Sequence, residues 1–435
     1  MDGPAVTVMS SNPLVPAHAL PSRQGREGWA VVTVGLAGLG VVLTGLDLGV
    51  YLGLTVGALL ACAFFPLWAG LVRSSRWTAA VFVLAGAGLL ADVALSAWMS
   101  GGRSFSRVAF LESVFLLVTL ACGIGWVLWA RGRLQDWAIG ALFGVGMLLS
   151  VDPGSELFTV SPWKFGFALP VTVLLLALAM RARSRWVEVA VLTGLAGVSA
   201  LSSARSGAAT LVLVLVLVVW QSMKRPTSSR GAALRTVLLV GALAVGTYFA
   251  LQAAILDGAM GDEARERTQM QLDTSGTLIA GGRPELGATA ALMGAQPAGF
   301  GGGTLPSMHD VQVAKTGMAA LGYDPDNGYV EDYLFGAGIE LHSVLGDLWA
   351  WYGLAGLTLA VVLAAFFVSR VAMLATARAA PALLLFLGIK GIWDLMFSPA
   401  ESALTTLMLG VALLSPLGVG RSERPPDLAA VTARP

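Results

Sequence analysis

Charged residues are scarce in this sequence. Asp, Glu, Lys and Arg make up 12% of its 435 residues, against about 25% in an ordinary soluble protein. Hydrophobic residues make up 56%. A water-soluble chain of this length would need more charge to cover so much apolar surface. The composition therefore excludes a soluble enzyme and a disordered protein, and it indicates a membrane protein.

Cysteine and histidine are scarce as well. The two cysteines, Cys62 and Cys122, lie in apolar segments and cannot form a disulfide framework. The sequence has no zinc-ligand cluster, no phosphate-binding P-loop with its lysine and no nucleophile elbow. Its net charge of +1 provides no overall field that would attract nucleic acid. We therefore expect no metal, no cofactor and no nucleic-acid partner.

Long apolar segments are abundant. A membrane helix needs about 20 mostly apolar residues, and twelve segments approach or meet this requirement. They lie at roughly residues 28–46, 49–72, 77–98, 107–130, 135–151, 164–180, 186–203, 207–223, 236–256, 345–369, 379–397 and 402–419. The pattern predicts an all-α membrane protein with about 12 transmembrane helices.

Most Lys and Arg residues fall in alternate short connections or in the two tails. Because cytoplasmic loops carry an excess of Lys and Arg, both termini are expected to face the cytoplasm. The predicted organisation is an N-terminal tail at 1–27, nine membrane helices in 28–256, a large extracytoplasmic loop at 257–344, three membrane helices in 345–419 and a C-terminal tail at 420–435. Short helices are expected in the loop, one of them with Pro284 in its first turn.

Three residues on the predicted outer side are candidates for chemistry. Arg205 lies between two apolar segments with almost no loop around it, where an arginine normally faces a partner or an aqueous cavity. Arg283 lies in the large loop. His342 directly precedes the tenth segment, and its ordinary pKa near 6.5 suits a general base. Plainer interpretations remain open: an arginine reaching the outer headgroups, a solvated loop arginine and an interfacial histidine.

Some charges within the apolar segments have a structural explanation. Lys390 and Asp394 stand four residues apart, so we expect them to neutralise each other on one helix face. Asp92 lies deeper in its segment, and no feature of the sequence explains it. His309, in the large loop, is more typical of an ordinary surface histidine than of a catalytic one.

Three motifs, in this order, resemble those of the bacterial O-antigen ligase and O-antigen polymerase superfamily. The first is SARSG at the head of a membrane helix. The second is RPELGATAALMGAQPAGFGGG in the large loop, and the third is HSVLGDLWAWYGLAG at the head of the tenth segment. The residues that match the family's motifs are Arg205 in the first, Arg283, Gly299, Gly301 and Gly303 in the second, and His342 and Ser343 in the third.

The resemblance implies a GT-C-like membrane glycosyltransferase in the bacterial inner membrane. Such an enzyme transfers or polymerises a glycan carried on undecaprenyl diphosphate, outside the membrane, to a glycan, lipid or protein acceptor. It serves the assembly of O-antigen, exopolysaccharide or capsule. The resemblance makes Arg205 and Arg283 diphosphate-binding residues and His342 the general base. It also implies that Ser343 and the Gly-rich turn support the site, in a metal-independent, inverting reaction.

Two other classes of function remain open at this point. A transporter or flippase of a lipid-linked saccharide would share the apolar segments, but it predicts repeat symmetry that this chain lacks. A non-catalytic scaffold of an envelope-assembly complex would leave the placement of the two arginines and the histidine as coincidence.

Overall fold

Helices account for nearly all regular structure in the computed structural model, which describes residues 23–202, 204–222, 232–258, 261–275 and 282–416. The helices are α1 Arg23–Gly45, α2 Val56–Ala63, α3 Phe65–Trp68, α4 Arg76–Met99, α5 Arg107–Ala130, α6 Asp136–Leu149, α7 Glu156–Val160, α8 Ala168–Ala182, α9 Arg185–Leu201, α10 Arg205–Gln221, α11 Ala232–Leu256, α12 Asp262–Ser275, α13 Glu285–Ala295, α14 Met308–Ala319, α15 Val344–Ala377, α16 Ala382–Phe397 and α17 Ala400–Leu414. Of the predicted tails, 1–27 and 420–435, only residues 23–27 lie within the described part.

Five of the described helices are long and apolar enough to cross a membrane. They are α4, α5, α15, and the stretches Trp163–Ala182 and Leu238–Leu256, and a bent pair formed by Val56–Ala63 and Phe65–Arg73 adds a sixth if it counts as one span. Shorter apolar helices occupy other predicted segments, among them Asp136–Leu149 and Ala400–Leu414. The chain is thus an all-helical protein with membrane-spanning character. The count of twelve spans and the extracytoplasmic position of the large loop remain predictions.

The second predicted segment, residues 49–72, is not one continuous helix. It opens with a two-stranded antiparallel hairpin, β1 Gly49–Tyr51 and β2 Leu54–Thr55, whose turn residues both have positive φ. Paired positive φ values are typical of the tight turns that match strand twist. The helix that follows bends by 78° before Phe65. Pro66 stands at the start of the second piece, where it has no N–H for the preceding turn.

Serine caps define where several of the helices begin. Ser75 accepts a hydrogen bond from the Thr78 N–H at the start of α4, and Ser106 does the same for α5. Ser307 and Asp310 form a reciprocal capping box at α14. Such caps satisfy N–H groups that have no partner within the helix, each typically contributing about 1 kcal/mol.

One end of the bundle gathers residues from the connections predicted to be cytoplasmic. The Arg131 guanidinium pairs with Asp136 and donates to the Ser415 carbonyl. Gln221, at the end of α10, accepts a hydrogen bond from the Ala380 N–H, which precedes α16. The end of α10 thus lies against the start of α16, so the two helices run antiparallel. Arg205 and the end of α16 therefore lie together at the opposite end.

At that opposite end, the Gly-rich turn packs against a break in α15. Gly353 has φ 57° and ψ −140°, which interrupts the helix. The Ala350 carbonyl instead accepts hydrogen bonds from the N–H groups of Phe300 and Gly301, at 2.8 and 3.0 Å. The indole N–H of Trp349 donates to the Pro297 carbonyl at 3.1 Å. The loop turn and the broken helix thus satisfy each other's backbone groups.

Candidate functional site

His342 lies in a strained connection just before α15. Its φ of 53° is left-handed, a conformation uncommon for residues other than glycine. Both neighbours are held: the Leu341 N–H donates to Asp347 Oδ1 at 2.6 Å, and Ser343 Oγ accepts from the Gly346 N–H at 3.0 Å. Strain of this kind persists only when the surroundings enforce it, and it concentrates at functional sites. Ser343, predicted to support the site, is therefore the N-cap that anchors His342 on one side.

The His342 imidazole is buried, with 8% of the residue exposed. It stacks on the Tyr333 ring, with 4.2 Å between ring centroids and 19° between planes. Its Nδ1 has no hydrogen-bond partner. Burial lowers the pKa of His342, the Glu340 carbonyl raises it in part, and the nearby positive charge of Arg283 lowers it further. A neutral imidazole with an uncommitted nitrogen is the form that a proton acceptor needs.

Arg283 stands beside this histidine. Its Nη1 donates to Glu285 Oε1 at 3.2 Å, and its Cζ lies 5.9 Å from the centre of the Phe397 ring. The Arg283 side chain is 32% exposed, so it remains open to a ligand. The corner after Phe397 reaches the connection that carries His342, because Asp347 accepts hydrogen bonds from the N–H groups of both Ala400 and Leu341. Arg283 and His342, which stand 59 positions apart in the sequence, are thus near enough for the charge of one to lower the pKa of the other.

Glu285 is the anionic partner in this cluster. It is only 2% exposed, and its Oε2 has no hydrogen-bond partner. Burial raises the pKa of Glu285, while the charge and hydrogen bond of Arg283 and the Tyr329 hydroxyl oppose that rise. The ion pair is incomplete on both sides, since one carboxylate oxygen is unsatisfied and the arginine has donors to spare. An anionic ligand could recruit those donors.

Three tyrosines continue the stack from His342. Their ring centroids are 5.7 Å apart between Tyr323 and Tyr329 and 4.9 Å apart between Tyr329 and Tyr333. Tyr333 is 54% exposed. Sequence reasoning missed this tyrosine series, although the four-residue spacing of Tyr329 and Tyr333 was a signal that both lie on one helical face.

Arg205 is the first residue of α10. Its Nη1 donates to the hydroxyl of Thr268, a buried residue of α12, at 3.0 Å. The antiparallel packing described above puts it at the same end of the bundle as Phe397, and Arg283 lies over Phe397. Arg205 thus joins α10 to the loop helix α12, at the end of the molecule that carries the other two predicted residues.

The Gly-rich turn packs closely against other segments of the protein. Gly299, Gly301 and Gly303 are all buried. Gly301 has φ 88°, and a Cβ there would lie 2.5 Å from the Ser96 backbone nitrogen. These glycines let the loop backbone approach other protein segments. Their nearest neighbours belong to the helices and to Phe105, and a supporting role of this turn toward a ligand stays a prediction.

A small cleft lies on the other side of the connection that carries His342. Three carboxylates and an indole contribute to its lining, namely Glu112, Glu340, Glu401 and Trp351. Burial raises the pKa of Glu340, and the negative charges of Glu401 and Glu112 raise it further. Within the described ranges, no group of three or more His, Cys, Asp or Glu side chains is arranged to hold a metal ion.

No protein-family model, characterised protein or solved structure matches this chain. The likeness to the O-antigen ligase and polymerase superfamily accordingly rests on the three motifs alone. The geometry adds one independent observation, which is the proximity of a partly exposed guanidinium to a buried imidazole on a strained backbone. Such a pair can bind an anionic group and accept a proton from a neighbouring hydroxyl.

Proposed function

We propose that the protein is a membrane glycosyltransferase of the O-antigen ligase and polymerase type. It acts in the bacterial inner membrane, with both termini cytoplasmic and the site on the outer face. The donor is a glycan on undecaprenyl diphosphate, and the acceptor is a glycan, lipid or protein. The observation that carries the proposal is the cluster of Arg283 and His342, with unsatisfied polar atoms on both Glu285 and His342.

The arginines bind the leaving group in this mechanism. A guanidinium presents donors in a fork that matches phosphate oxygens and stays charged at any working pH. Arg283 offers its remaining donors to the diphosphate, and Arg205 supplies a second cation from the head of α10. Positive charge at this position stabilises the diphosphate as it departs. The reaction then needs no acid to protonate the leaving group and no divalent metal.

His342 accepts the proton of the attacking hydroxyl. The acceptor oxygen forms a bond to the anomeric carbon while the bond between that carbon and the diphosphate oxygen breaks. The electron pair of the broken bond leaves with the diphosphate, and the proton passes to the imidazole. Attack opposite the leaving group inverts the anomeric centre. A positioned general base contributes about 10²–10⁴ in rate.

The direct test uses the full chain in nanodiscs, with lipid-linked glycans extracted from cells that make the protein. Release of undecaprenyl diphosphate is followed by mass spectrometry. We expect release by the wild type and a loss of at least about 100-fold in His342→Gln. His309→Gln is the matched control, since His309 is an exposed histidine of the same predicted loop, and it should release the diphosphate at the wild-type rate.

Three outcomes would contradict the proposal or a part of it. If the wild type moves the lipid-linked glycan between leaflets without releasing undecaprenyl diphosphate, the protein is a transporter. If His342→Gln releases diphosphate as fast as His309→Gln, the general-base role is wrong. A requirement for added Mg²⁺ or Mn²⁺ after treatment with EDTA would overturn the metal-free mechanism.

A further inference from the structure

Tyr333 is the residue in closest ring contact with His342. The two rings are nearly parallel, 19° apart, with centroids separated by 4.2 Å. The resemblance assigns no role to this tyrosine. It lies outside the three motifs, in a short π-helical turn, Tyr329–Leu334, that ends a few residues before His342. More than half of Tyr333 is exposed, at 54%. The tyrosine therefore contributes little to the core, and one of the surfaces that it covers is the face of the buried imidazole.

The backbone conformation at His342 is fixed, and two contacts then orient its ring. Asp347 and the Ser343 cap hold the neighbouring residues and thereby the left-handed backbone. The Glu340 carbonyl meets the imidazole at one edge, while Nδ1 has no hydrogen-bond partner. The stacked face of Tyr333 is the contact that limits tilting of the ring plane. It also excludes water from that face of the imidazole.

We propose that Tyr333 is a positioning residue for His342, holding the imidazole plane and keeping one of its faces dry for proton transfer. This inference deepens the proposed function and rests on it for the identity of the transferred proton. The aromatic face is the required feature. The hydroxyl is dispensable, because no hydrogen bond joins it to the imidazole, whose Nδ1 lacks a partner.

The groups that act on the imidazole come from three segments. The Arg283 guanidinium precedes α13, the Glu340 carbonyl lies two residues before the histidine, and Tyr333 covers one ring face. Glu285 pairs with Arg283 and moderates its charge. Removing Tyr333 leaves the charged groups in place and changes the burial of the ring. Because burial is the main cause of the lowered pKa of His342, its loss should move that pKa upward, toward the ordinary value of about 6.5.

The small number of histidines makes a direct measurement possible. The chain has three, so replacing His18 and His309 by Gln leaves His342 as the single histidine. In nanodiscs, protein labelled at histidine is titrated by NMR as the wild type and with Tyr333→Phe, Tyr333→Leu, Tyr333→Met and Tyr323→Leu. Tyr323→Leu is the matched control because its ring contacts Tyr329, two rings away from the imidazole.

We expect Tyr333→Leu and Tyr333→Met to raise the pKa of His342, and Tyr333→Phe and Tyr323→Leu to leave it unchanged. In the release assay, the acid limb of the pH profile should move to higher pH in the same two variants. Their kcat should fall about 10- to 100-fold, with KM nearly unchanged. A purely structural role would not shift the titration of one histidine in a folded protein.

Two results would overturn the inference. One is an unchanged His342 titration in both Tyr333→Leu and Tyr333→Met, with melting behaviour like the wild type. The other is a shift in Tyr333→Phe as large as in Tyr333→Leu, since the aromatic face would then not matter. The titration needs no substrate, so a shifted titration in a protein that releases no undecaprenyl diphosphate would reject the proposed function and not the ring contact.

Discussion

Two buried carboxylates show how differently this molecule treats charge. Asp92, inside α4, is 0% exposed and accepts hydrogen bonds from Ser96, Ser113 and the Gly302 N–H. Glu285, beside the candidate site, is 2% exposed, and one of its oxygens has no partner. A buried polar group is normally fully bonded when its role is structural. The complete set at Asp92 indicates a structural role, whereas the unbonded oxygen of Glu285 leaves its ion pair with Arg283 incomplete.

The largest expected effect concerns Arg283, the partner of Glu285 in the incomplete ion pair. Arg283→Ala should slow the release of undecaprenyl diphosphate about 10²–10³-fold, because it removes a preorganised donor to the leaving group. Arg265→Ala, at an exposed position in α12, should leave the rate unchanged. Both variants should accumulate in the membrane like the wild type. Equal rates in the two variants would remove Arg283 from the mechanism.

The next largest effect tests the surroundings of Asp92 through Gly301, the neighbour of Gly302, which packs against Ser96. Gly301→Ala combines a left-handed backbone with a Cβ 2.5 Å from the Ser96 nitrogen. We expect a loss of about 2–5 kcal/mol in stability, measured by thermal unfolding in detergent. Gly294→Ala is the control, since nothing lies within 4 Å of a Cβ there. Unaltered melting in Gly301→Ala would show that the turn is not packed as described.

Substitution of Asp92 itself should have a somewhat smaller effect. Asp92→Ala leaves the buried Gly302 N–H without an acceptor, at a cost of about 1–3 kcal/mol, whereas Asp92→Asn keeps an oxygen in place. The Ala variant should therefore melt at a lower temperature than the Asn variant, and both should retain the site around His342. Equal melting temperatures for Asp92→Ala and Asp92→Asn would contradict the structural role of the hydrogen bonds to Asp92.

The smallest effect is a shift in pH dependence. The proposed mechanism requires a neutral imidazole, and the pKa of His342 lies below its ordinary value. As pH falls, the rate should thus hold until below the ordinary value of about 6.5 and decline only then. The release assay between pH 4.5 and 8, chosen to span the ordinary carboxylate and histidine pKa values, provides the measurement. In His309→Gln the rate should fall at the same pH as in the wild type. A rate that falls at a pH above the ordinary histidine pKa would contradict the burial of His342.

Local patterns predicted the helices well. The segment 107–130 coincides with α5, and a helix follows Pro284 as expected. The predicted pairing of Lys390 with Asp394 is confirmed as an ion pair within α16. These predictions succeeded because hydrophobic runs, caps and i,i+4 spacing act over a few residues. The continuous segment 49–72 is wrong because its first residues form a hairpin and Pro66 interrupts the helix that follows.

The candidate site could be predicted only in part. The motifs pointed to Arg283 and His342, and both lie in the cluster. Asp347 and Tyr333 were missed, and Asp92 had no explanation. Asp347 and Asp92 depend on partners far away in sequence, Ala400 and Gly302, and Tyr333 meets His342 only because the chain turns back between them. A single sequence carries no signal for pairings of this kind, since spacing along the chain does not reveal which segments meet.

Sequence alone determined that this is a helical membrane protein with little charge and where most of its helices lie, because apolar length and capping are local properties of the chain. Tertiary structure alone decided that Arg283 would stand beside His342 and that Tyr333 would stack on the imidazole. It also decided that the Gly-rich turn would fill the break at Gly353. Those outcomes depend on how separate segments of the chain pack against one another. The same packing leaves Asp92 fully bonded and leaves one oxygen of Glu285 without a partner.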